Sequence, residues 1–340
     1  MRVLVGISGG VDSAVTAMLL KRAGYEPVAV HLLLGEGEEN PNARKCAEYL
    51  DIEYHFVDMT EEFDRRVKKP FSEIYLAGKT PNPCVICNRE IKFGLMAELM
   101  EKFGCERLAT GHYVRSEYSD ELKRWILRKG KDNKKDQSYF LWALSQKQLA
   151  NTLFPLGEYT KEQVRELAFE GGIPVAASKE SQDICFIPDG DCGAFIASYT
   201  GEKPVGGDFT DCDGKVLGNH KGIAHYTVGQ RKGLGISSDA PLYVIRKDAA
   251  ANTVILGRNE QLFSEVVNIS DINLIAADES IAEIPVQAKI RYSTYTADAV
   301  LHLNGKNGVL KFTEPQRAPS PGQSAVFYNG DVVVGGGIIE

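Results

Sequence analysis

Long apolar runs are missing from this 340-residue chain. The longest, such as Arg2–Ile7 and Pro27–Leu34, have the length of strands, whereas a bilayer-crossing helix needs about 20 apolar residues, so no helical span and no membrane role is expected. A charged-then-apolar export pattern is missing too, because Gly9 and Gly10 interrupt the first apolar run. The expected compartment is therefore cytoplasmic. Low-complexity tracts and internal repeats are absent, which sets aside disordered and solenoid designs. Positive charge is in deficit: 39 Lys and Arg face 46 Asp and Glu, a net charge of −7 that by itself argues against a nucleic-acid partner.

What is present is globular. The chain is 43% apolar and 25% charged, with length enough for about two or three domains that each bury a core. Seven cysteines are an odd number, and a reducing compartment favours reactive or metal-binding thiols over structural disulfides. The charge is also unevenly spread. Glu121–Lys135 holds Lys123, Arg124, Arg128, Lys129, Lys131, Lys134 and Lys135 against Glu121 and Asp132, a local excess of five positive charges. Such a run suits a phosphate backbone, although a solvated hairpin loop accounts for it equally simply.

Strand and helix signals alternate in the first half. Arg2–Ser8, Pro27–Leu33, Glu53–Val57 and Arg107–Thr110 read as strands, Val11–Arg22 and Ala43–Leu50 as helices, with Gly24 at a helix end. The pattern predicts an α/β domain on a parallel sheet, whose ligand sits at the carboxyl ends of the strands. Thr160–Gln163 is a capping box for a helix running to Phe169 and closed by Gly171 and Gly172. From about Gly201 short alternating segments take over: Leu242–Arg246, Thr253–Leu256, Val286–Tyr292, Ala297–Leu303, Val309–Thr313 and Ser324–Phe327. These predict small β domains, and the expected units are 1–198, 199–257 and 258–340, the last a β-barrel.

Between the first strand and helix lies Gly6-Ile7-Ser8-Gly9-Gly10-Val11-Asp12-Ser13. It is not a Walker A loop, which would need Gly-Lys where Val11 and Asp12 stand. The physics is related: glycines let backbone N–H groups face an anion, the helix N-terminus adds its dipole, and Ser8 and Ser13 add hydroxyls. Asp12 suits a Mg²⁺ that bridges phosphates. A plain tight turn explains the glycines but not the two serines and the aspartate. The segment resembles the pyrophosphate-binding loop (PP-loop) of the N-type ATP pyrophosphatases, which have an adenine nucleotide alpha hydrolase-like fold. That superfamily cleaves ATP to AMP and pyrophosphate while adenylating a carbonyl oxygen.

Further segments narrow the resemblance. Thr80-Pro81-Asn82-Pro83-Cys84-Val85-Ile86-Cys87-Asn88, Ala109-Thr110-Gly111-His112-Tyr113, Lys135-Asp136-Gln137-Ser138-Tyr139-Phe140, Ser181-Gln182-Asp183-Ile184-Cys185-Phe186 and Thr227–Gly235 occur in order. Together with Pro315-Gln316-Arg317 and Pro321-Gly322-Gln323 they are similar to the tRNA-specific 2-thiouridylase family over nearly the whole chain. The resemblance implies that the wobble uridine of a glutamate, lysine or glutamine tRNA is flipped in and adenylated at its C2 oxygen. A sulfur-relay donor protein would load Cys185 as a persulfide, and Cys87 would free the sulfur. Gly6, Ile7, Ser8, Gly9, Gly10, Val11, Asp12, Ser13, Leu32 and Gly111 would touch ATP. Asn82, Pro83 and Cys84 would meet the target base, while His112, Lys135, Asp136, Gln137, Arg291, Tyr292 and Gln323 would contact tRNA. A monomer is expected.

The chain departs from the family at Cys84, where aspartate is usual, and in Leu34–Arg44, which is short. Cys84, Cys87 and Cys185 are three thiols with three readings. They would ligate a [4Fe–4S] cluster with one open iron, serve as a persulfide and disulfide pair with Cys84 a bystander, or bind zinc with a fourth ligand from Cys105, Cys192 or His112. Cys46 and Cys105 read as packed side chains and Cys212 as exposed, while His31 reads as a core or edge residue. Two other functions fit parts of the pattern: a different adenylating synthetase or amidotransferase, and a non-catalytic RNA-binding or metal-storage protein that keeps the loop as a relic.

Overall fold

The computed structural model describes residues 1–35, 37–178, 184–278, 280–292 and 295–340. The chain begins with β1 (Arg2–Gly6), α1 (Val11–Arg22), β2 (Glu26–Leu33), α2 (Pro41–Tyr49) and β3 (Glu53–Asp58). A helical stretch follows, α3 (Thr60–Phe63) and α4 (Lys69–Leu76) around a π-helical turn, then α5 (Pro83–Cys87) and α6 (Met96–Lys102) around a π-helical run over Asn88–Leu95. Next come β4 (Arg107–Ala109), the hairpin β5 (Val114–Ser119) and β6 (Arg124–Lys129), α7 (Gln146–Ala150), β7 (Thr152–Leu153) and α8 (Lys161–Glu170). The predicted capping box at Thr160 and Gln163 forms in both directions at the start of α8.

The first sheet is parallel, in the order β3-β2-β1-β4-β7. Helices cover both of its faces, which is why Val3, Leu4, Val5, Val28, Ala29 and Val30 are fully buried rather than alternating. The chain winds outward from β1 through β2 and β3, then returns to β4 on the other side of β1. This reversal opens a crevice between the carboxyl ends of β1 and β4. The turns at Gly9–Gly10 and Gly111–His112 meet there.

After α9 (Cys192–Thr200), a four-stranded sheet forms from β8 (Gly207–Thr210), β9 (Val216–His220), β10 (Tyr243–Asp248) and β11 (Thr253–Gly257), around Phe209, Tyr226, Val244, Val254 and Leu256. The remaining strands are β12 (Phe263–Leu274), β13 (Glu283–Lys289), β14 (Ala297–Asn304), β15 (Asn307–Arg317), β16 (Ser324–Asn329) and β17 (Val332–Ile339). Pairing runs β12-β15-β14-β13-β16-β17 and closes through β12–β17, so the C-terminal region is a six-stranded barrel. The α/β-then-β architecture agrees with the expectation from the sequence.

Part of the basic stretch has a structural role that neither of its readings anticipates. Its first half supplies the turn and the second strand of the β5–β6 hairpin, and β6 pairs with β17, so this segment of the first half joins the C-terminal sheet. Arg124 donates to the carbonyls of Ala277 and Leu274. Arg128 bonds Glu117 at 2.7 Å and Asp331 at 2.8 Å, and Lys129 donates to the Gly330 carbonyl at 3.0 Å. These three cations hold the hairpin to the barrel, whereas Lys134 and Lys135, beyond β6, face the crevice at the carboxyl ends of β1 and β4.

One core joins the two units. Leu4, Val28 and Val30 of the sheet, Phe93 and Met96 of the helical stretch, Tyr139, Trp142 and Leu144, and Ile275, Val326, Tyr328 and Val333 of the barrel pack as a single cluster. Trp142 is almost wholly buried, and Gly336 lies flat against its ring, where a Cβ would come within 2.6 Å. Trp142→Ala should therefore cost roughly 3–5 kcal/mol. Because the core is shared, the loss should appear in denaturant unfolding as one transition followed alike by far-UV circular dichroism and tyrosine fluorescence. Separate transitions for sheet and barrel would contradict it.

Candidate active site

The crevice holds two connected cavities. The inner one, about 260 Å³, is lined by Gly6, Ile7, Ser8, Asp12, Ser13, Val30, His31, Leu32, Leu34, Lys92, Met96, Thr110, Gly111, His112 and Gln137. The outer one, about 950 Å³, shares Ser8, Asp12, Ser13, Lys92, His112 and Gln137 and extends past Cys84, Asn88, Lys134, Lys135, Phe140, Lys161, Arg165 and Tyr292. Every residue assigned to ATP on resemblance except Gly9, Gly10 and Val11 lines the inner cavity, and those three line the outer one.

The loop is held by its own side chains. Ser13 Oγ accepts from the Ser8 N–H at 3.2 Å and donates to the Gly10 carbonyl at 3.0 Å. Gly9 has φ +82°, a left-handed conformation favouring glycine, and a Cβ there would strike the Asn40 side chain at 2.6 Å. Asn40 in turn caps α2 and donates Nδ2–H to the Ser8 carbonyl at 3.0 Å. Asp12 ties the crevice together. Its Oδ1 accepts from Tyr113 Oη and from Lys161 Nζ, both at 2.7 Å. Gly111 lies so close that a Cβ would sit 3.1–3.3 Å from Asp12 atoms.

His31 has more of a role than its sequence context suggests. It is a buried strand residue, but it faces the inner cavity, donates Nδ1–H to the Ile7 carbonyl at 2.8 Å and accepts the Asn40 N–H on Nε2. It thus braces the loop. Lys92, Lys161 and Arg165 are further cavity residues that the sequence reading missed. The signal for Lys161 and Arg165 was present in the capped helix, where i, i+4 spacing puts both on one face. Lys92 faces the cavities from the π-helical run after α5, whose wider turns no periodicity search anticipates.

Of the three candidate thiols, Cys84 lines the outer cavity. Asn82 caps α5 by accepting the Cys84 N–H on Oδ1 at 3.1 Å. Cys84 and Cys185 are exposed and Cys87 is buried among Phe63, Val67, Ile91 and Leu95, a cluster that Phe186 also joins. The chain next to Cys185 is thereby docked onto the core around Cys87. Ser181, Gln182 and Asp183 of that motif lie outside the described residues. Desolvation raises all three thiols, Cys87 to about 11, and the Lys92 charge opposes it in each case. Cys185 also raises both Cys84 and Cys87, so the three thiols sense one another. Cys46 and Cys105 are buried and Cys212 is exposed.

These thiols do not form a ready metal site. Among the described residues no three His, Cys, Asp or Glu side chains are grouped so as to hold a metal ion. Neither the [4Fe–4S] ligand set Cys84, Cys87 and Cys185 nor a zinc site is assembled among the described residues. A single Mg²⁺ is different, since it needs only one or two carboxylates when phosphates and water supply the rest. Asp12 offers one at the phosphate loop.

The residues assigned to tRNA divide in two. Lys135, Gln137, His112 and Tyr292 line the outer cavity. Burial first, and Lys92 second, hold His112 well below the usual imidazole range, so it offers a hydrogen bond rather than a charge. Tyr292 packs on Phe140 with ring centroids 4.6 Å apart and planes tilted by 39°, under Lys289, an aromatic wall that offers ring faces to a base. The other group is engaged within the protein. Asp136 accepts from Gly130, and from the Ser138 hydroxyl at 2.8 Å. Arg291 donates to the carbonyls of Val228 and Ala318 and to Ser320 Oγ. Gln323 donates to the carbonyls of Thr80 and Pro81.

Three family models match in succession: a tRNA methyl transferase HUP domain over residues 1–189, a tRNA methyl transferase PRC-barrel domain over 193–258 and an aminomethyltransferase beta-barrel domain over 264–339. The chain is 50% identical over 355 aligned residues to "tRNA-specific 2-thiouridylase MnmA 1" of Caldanaerobacter subterraneus subsp. tengcongensis, covering 100% of this chain and 98% of the relative. It is 44% identical to "tRNA-specific 2-thiouridylase MnmA" of Acetivibrio thermocellus, covering 100% and 99%. The protein of that name from Moorella thermoacetica is 45% identical, covering 99% of each chain. A crystal structure of a 4-thiouridine synthetase–RNA complex with bound ATP overlaps at 18% identity and a TM-score of 0.37, over 55% of this chain and 45% of its own, which is too slight to build on. With matches of this identity along its whole length, and with the phosphate loop and Cys84 on one crevice, the chain belongs to the tRNA-specific 2-thiouridylase family.

Proposed function

We propose that this protein is an ATP-dependent tRNA-uridine 2-sulfurtransferase. The observation that carries the reading is the continuity of the two cavities, which puts a phosphate-binding loop, Cys84 and the Phe140–Tyr292 wall on one crevice, with Cys87 on the same short helix as Cys84. The family models are described as methyl transferases, but an anion-binding loop and desolvated thiols suit adenylation and sulfur transfer, the chemistry in the names of the full-length relatives.

ATP lies in the inner cavity with its phosphates over Ser8–Ser13. The wobble uridine of a glutamate, lysine or glutamine tRNA enters the outer cavity against Phe140 and Tyr292. The C2 oxygen attacks the α-phosphorus, the bond to the β-phosphate breaks, and N3 gives up its proton. Backbone N–H groups of the loop with Lys161 and Arg165 stabilise the departing pyrophosphate. Mg²⁺, when bound, neutralises the phosphates, and Asp12 would hold it.

A sulfur-relay protein delivers sulfur to Cys185 as a persulfide. Its terminal sulfur attacks C2, and the bond to the AMP oxygen breaks. The Cys87 thiolate then attacks the Cys185 sulfur, and the S–S electron pair goes to the sulfur on C2. N3 regains a proton as the thiocarbonyl forms, and a dithiol reductant of the cell reopens the Cys87–Cys185 disulfide. Lys92 favours the thiolate at each stage. Cys84, with a thiol raised by burial, is a poor substitute for a basic carboxylate at neutral pH.

Asp12→Ala should lower tRNA-dependent AMP formation on the order of 10²-fold, the scale for losing one preorganised electrostatic contact, with tRNA affinity unchanged. Cys185→Ser should still make AMP but yield no 2-thiouridine by nucleoside mass spectrometry. Unchanged AMP in the first variant, or thiolation by the second, would remove those roles. Anaerobically purified protein should thiolate tRNA with negligible iron and acid-labile sulfide. Near four of each per chain, lost on changing Cys84, Cys87 or Cys185, would replace the persulfide with a cluster. Finally, Cys87 alkylation by iodoacetamide should be slow at pH 7 and climb about tenfold per pH unit toward its value of about 11. A plateau near pH 7 would show a thiol already ionised.

A further inference from the structure

The segment leading into α5 is pinned by the opposite end of the chain. The Thr80 N–H donates to the Pro321 carbonyl at 2.7 Å. Gln323 Nε2–H donates to the Thr80 carbonyl at 2.9 Å and toward the Pro81 carbonyl at 3.5 Å. Two residues further on, Asn82 caps the helix that bears Cys84 and Cys87. The turn making these contacts is itself fixed, because the Gly322 N–H donates to the Ile339 carbonyl and the Ile339 N–H to the Gln323 carbonyl. The approach is tight: Gly322 has φ +90°, and a Cβ there would lie 2.9 Å from the Thr80 nitrogen. Lys79 and Glu340 add an ion pair at 2.7 Å, but it is partly exposed and so contributes little. The hold is made by backbone groups and one amide.

We infer that Gln323 is a positioning residue for the cysteine helix, acting through the carbonyls of residues 80 and 81. The amide suits this because only its nitrogen end can serve two carbonyls. In this arrangement the barrel sets where Cys84 and Cys87 stand relative to the phosphate loop. A misplacement of about 1 Å at a reacting group costs on the order of 10²-fold in rate. This inference rests on the sulfur-transfer reading for its kinetic consequence, but its structural consequence stands alone.

The test compares Gln323→Glu, which has the same shape but sets an acceptor against two carbonyls, with Gln323→Lys, which keeps a donor. The first readout is labelling of Cys87 by N-ethylmaleimide at pH 8, followed by peptide mass spectrometry, with buried Cys46 as internal reference. Q323E should raise Cys87 labelling about tenfold while Cys46 is unchanged, and Q323K should restore most of the protection. The second readout is thiolation: Q323E should lower kcat on the order of 10²-fold with tRNA Kd within about twofold, and Q323K should recover much of it. Gly322→Ala, which pushes the turn off Thr80 but keeps the amide, should repeat the Q323E pattern. It decides the matter if Q323E unfolds the chain, as Cys46 labelling would reveal. Unchanged Cys87 labelling in the folded variant overturns the inference. So does a salt-dependent rise in tRNA Kd for Q323E and a fall for Q323K with kcat intact, which is the signature of an RNA contact. If the wild type does not thiolate tRNA, the proposed function fails, while the labelling result still decides the role of Gln323.

Discussion

The carboxylate of Asp12 is the constraint on which the crevice depends. One oxygen accepts from Tyr113 and Lys161, which come from beyond β4 and from α8. The same residue stands at the end of the β1 turn and packs against Gly111. Three separate parts of the first half are thereby drawn to one point at the carboxyl edge of the sheet. Lys161, 148 positions after Ser13, is carried to the phosphate loop by α8, whose Val164 and Ala168 pack in one core with α1, and the Asp12 carboxylate fixes its ammonium there. An ammonium beside the loop also lets an acidic chain offer an anion site: the positive field is local, and it is focused by the walls of a crevice.

The same local logic applies to sulfur. A cysteine in an apolar pocket is a weak nucleophile because desolvation disfavours its thiolate, and burial does raise Cys84, Cys87 and Cys185. Lys92 lies within reach of all three and opposes that effect. Buried Cys87 is therefore quiet toward adventitious oxidants, yet has the means to be activated within the site. The hydrophobic cluster that shelters Cys87 also anchors Phe186, so one packing arrangement both protects the thiol and brings the Cys185 segment to it.

The barrel is part of the same construction and not an appendage. It shares a core with the sheet through Trp142, takes the β5–β6 hairpin as two extra strands, and holds the carbonyls ahead of the cysteine helix. Cations that in sequence look like an RNA patch, Arg124 and Arg128 above all, are the bonds that keep this assembly together. Arg291 likewise faces inward to Val228, Ala318 and Ser320.

Local rules were enough for much of this. Apolar runs of strand length gave the five-stranded sheet its central members, Thr160 and Gln163 marked the start of α8 by capping chemistry, and the glycines and serines after β1 marked an anion site, because each of these depends on neighbours only a few residues away. The alternation in the last third likewise pointed to strands, although β12 and β17 passed unnoticed: β12 lacks a clean period-2 pattern, and Val332–Ile339 is broken by glycines that make room for Trp142 and for Asn273 and Leu274. What only the tertiary structure decided is partnership. That Lys161 would meet Asp12, that His31 would brace the loop, and that Gln323 would hold residue 80 depend on contacts between positions 9 to 243 residues apart. Side-chain type limits what each residue is able to do, but a charge or an amide acts over only a few ångströms. Which of its capacities it uses is settled when the fold supplies its neighbours.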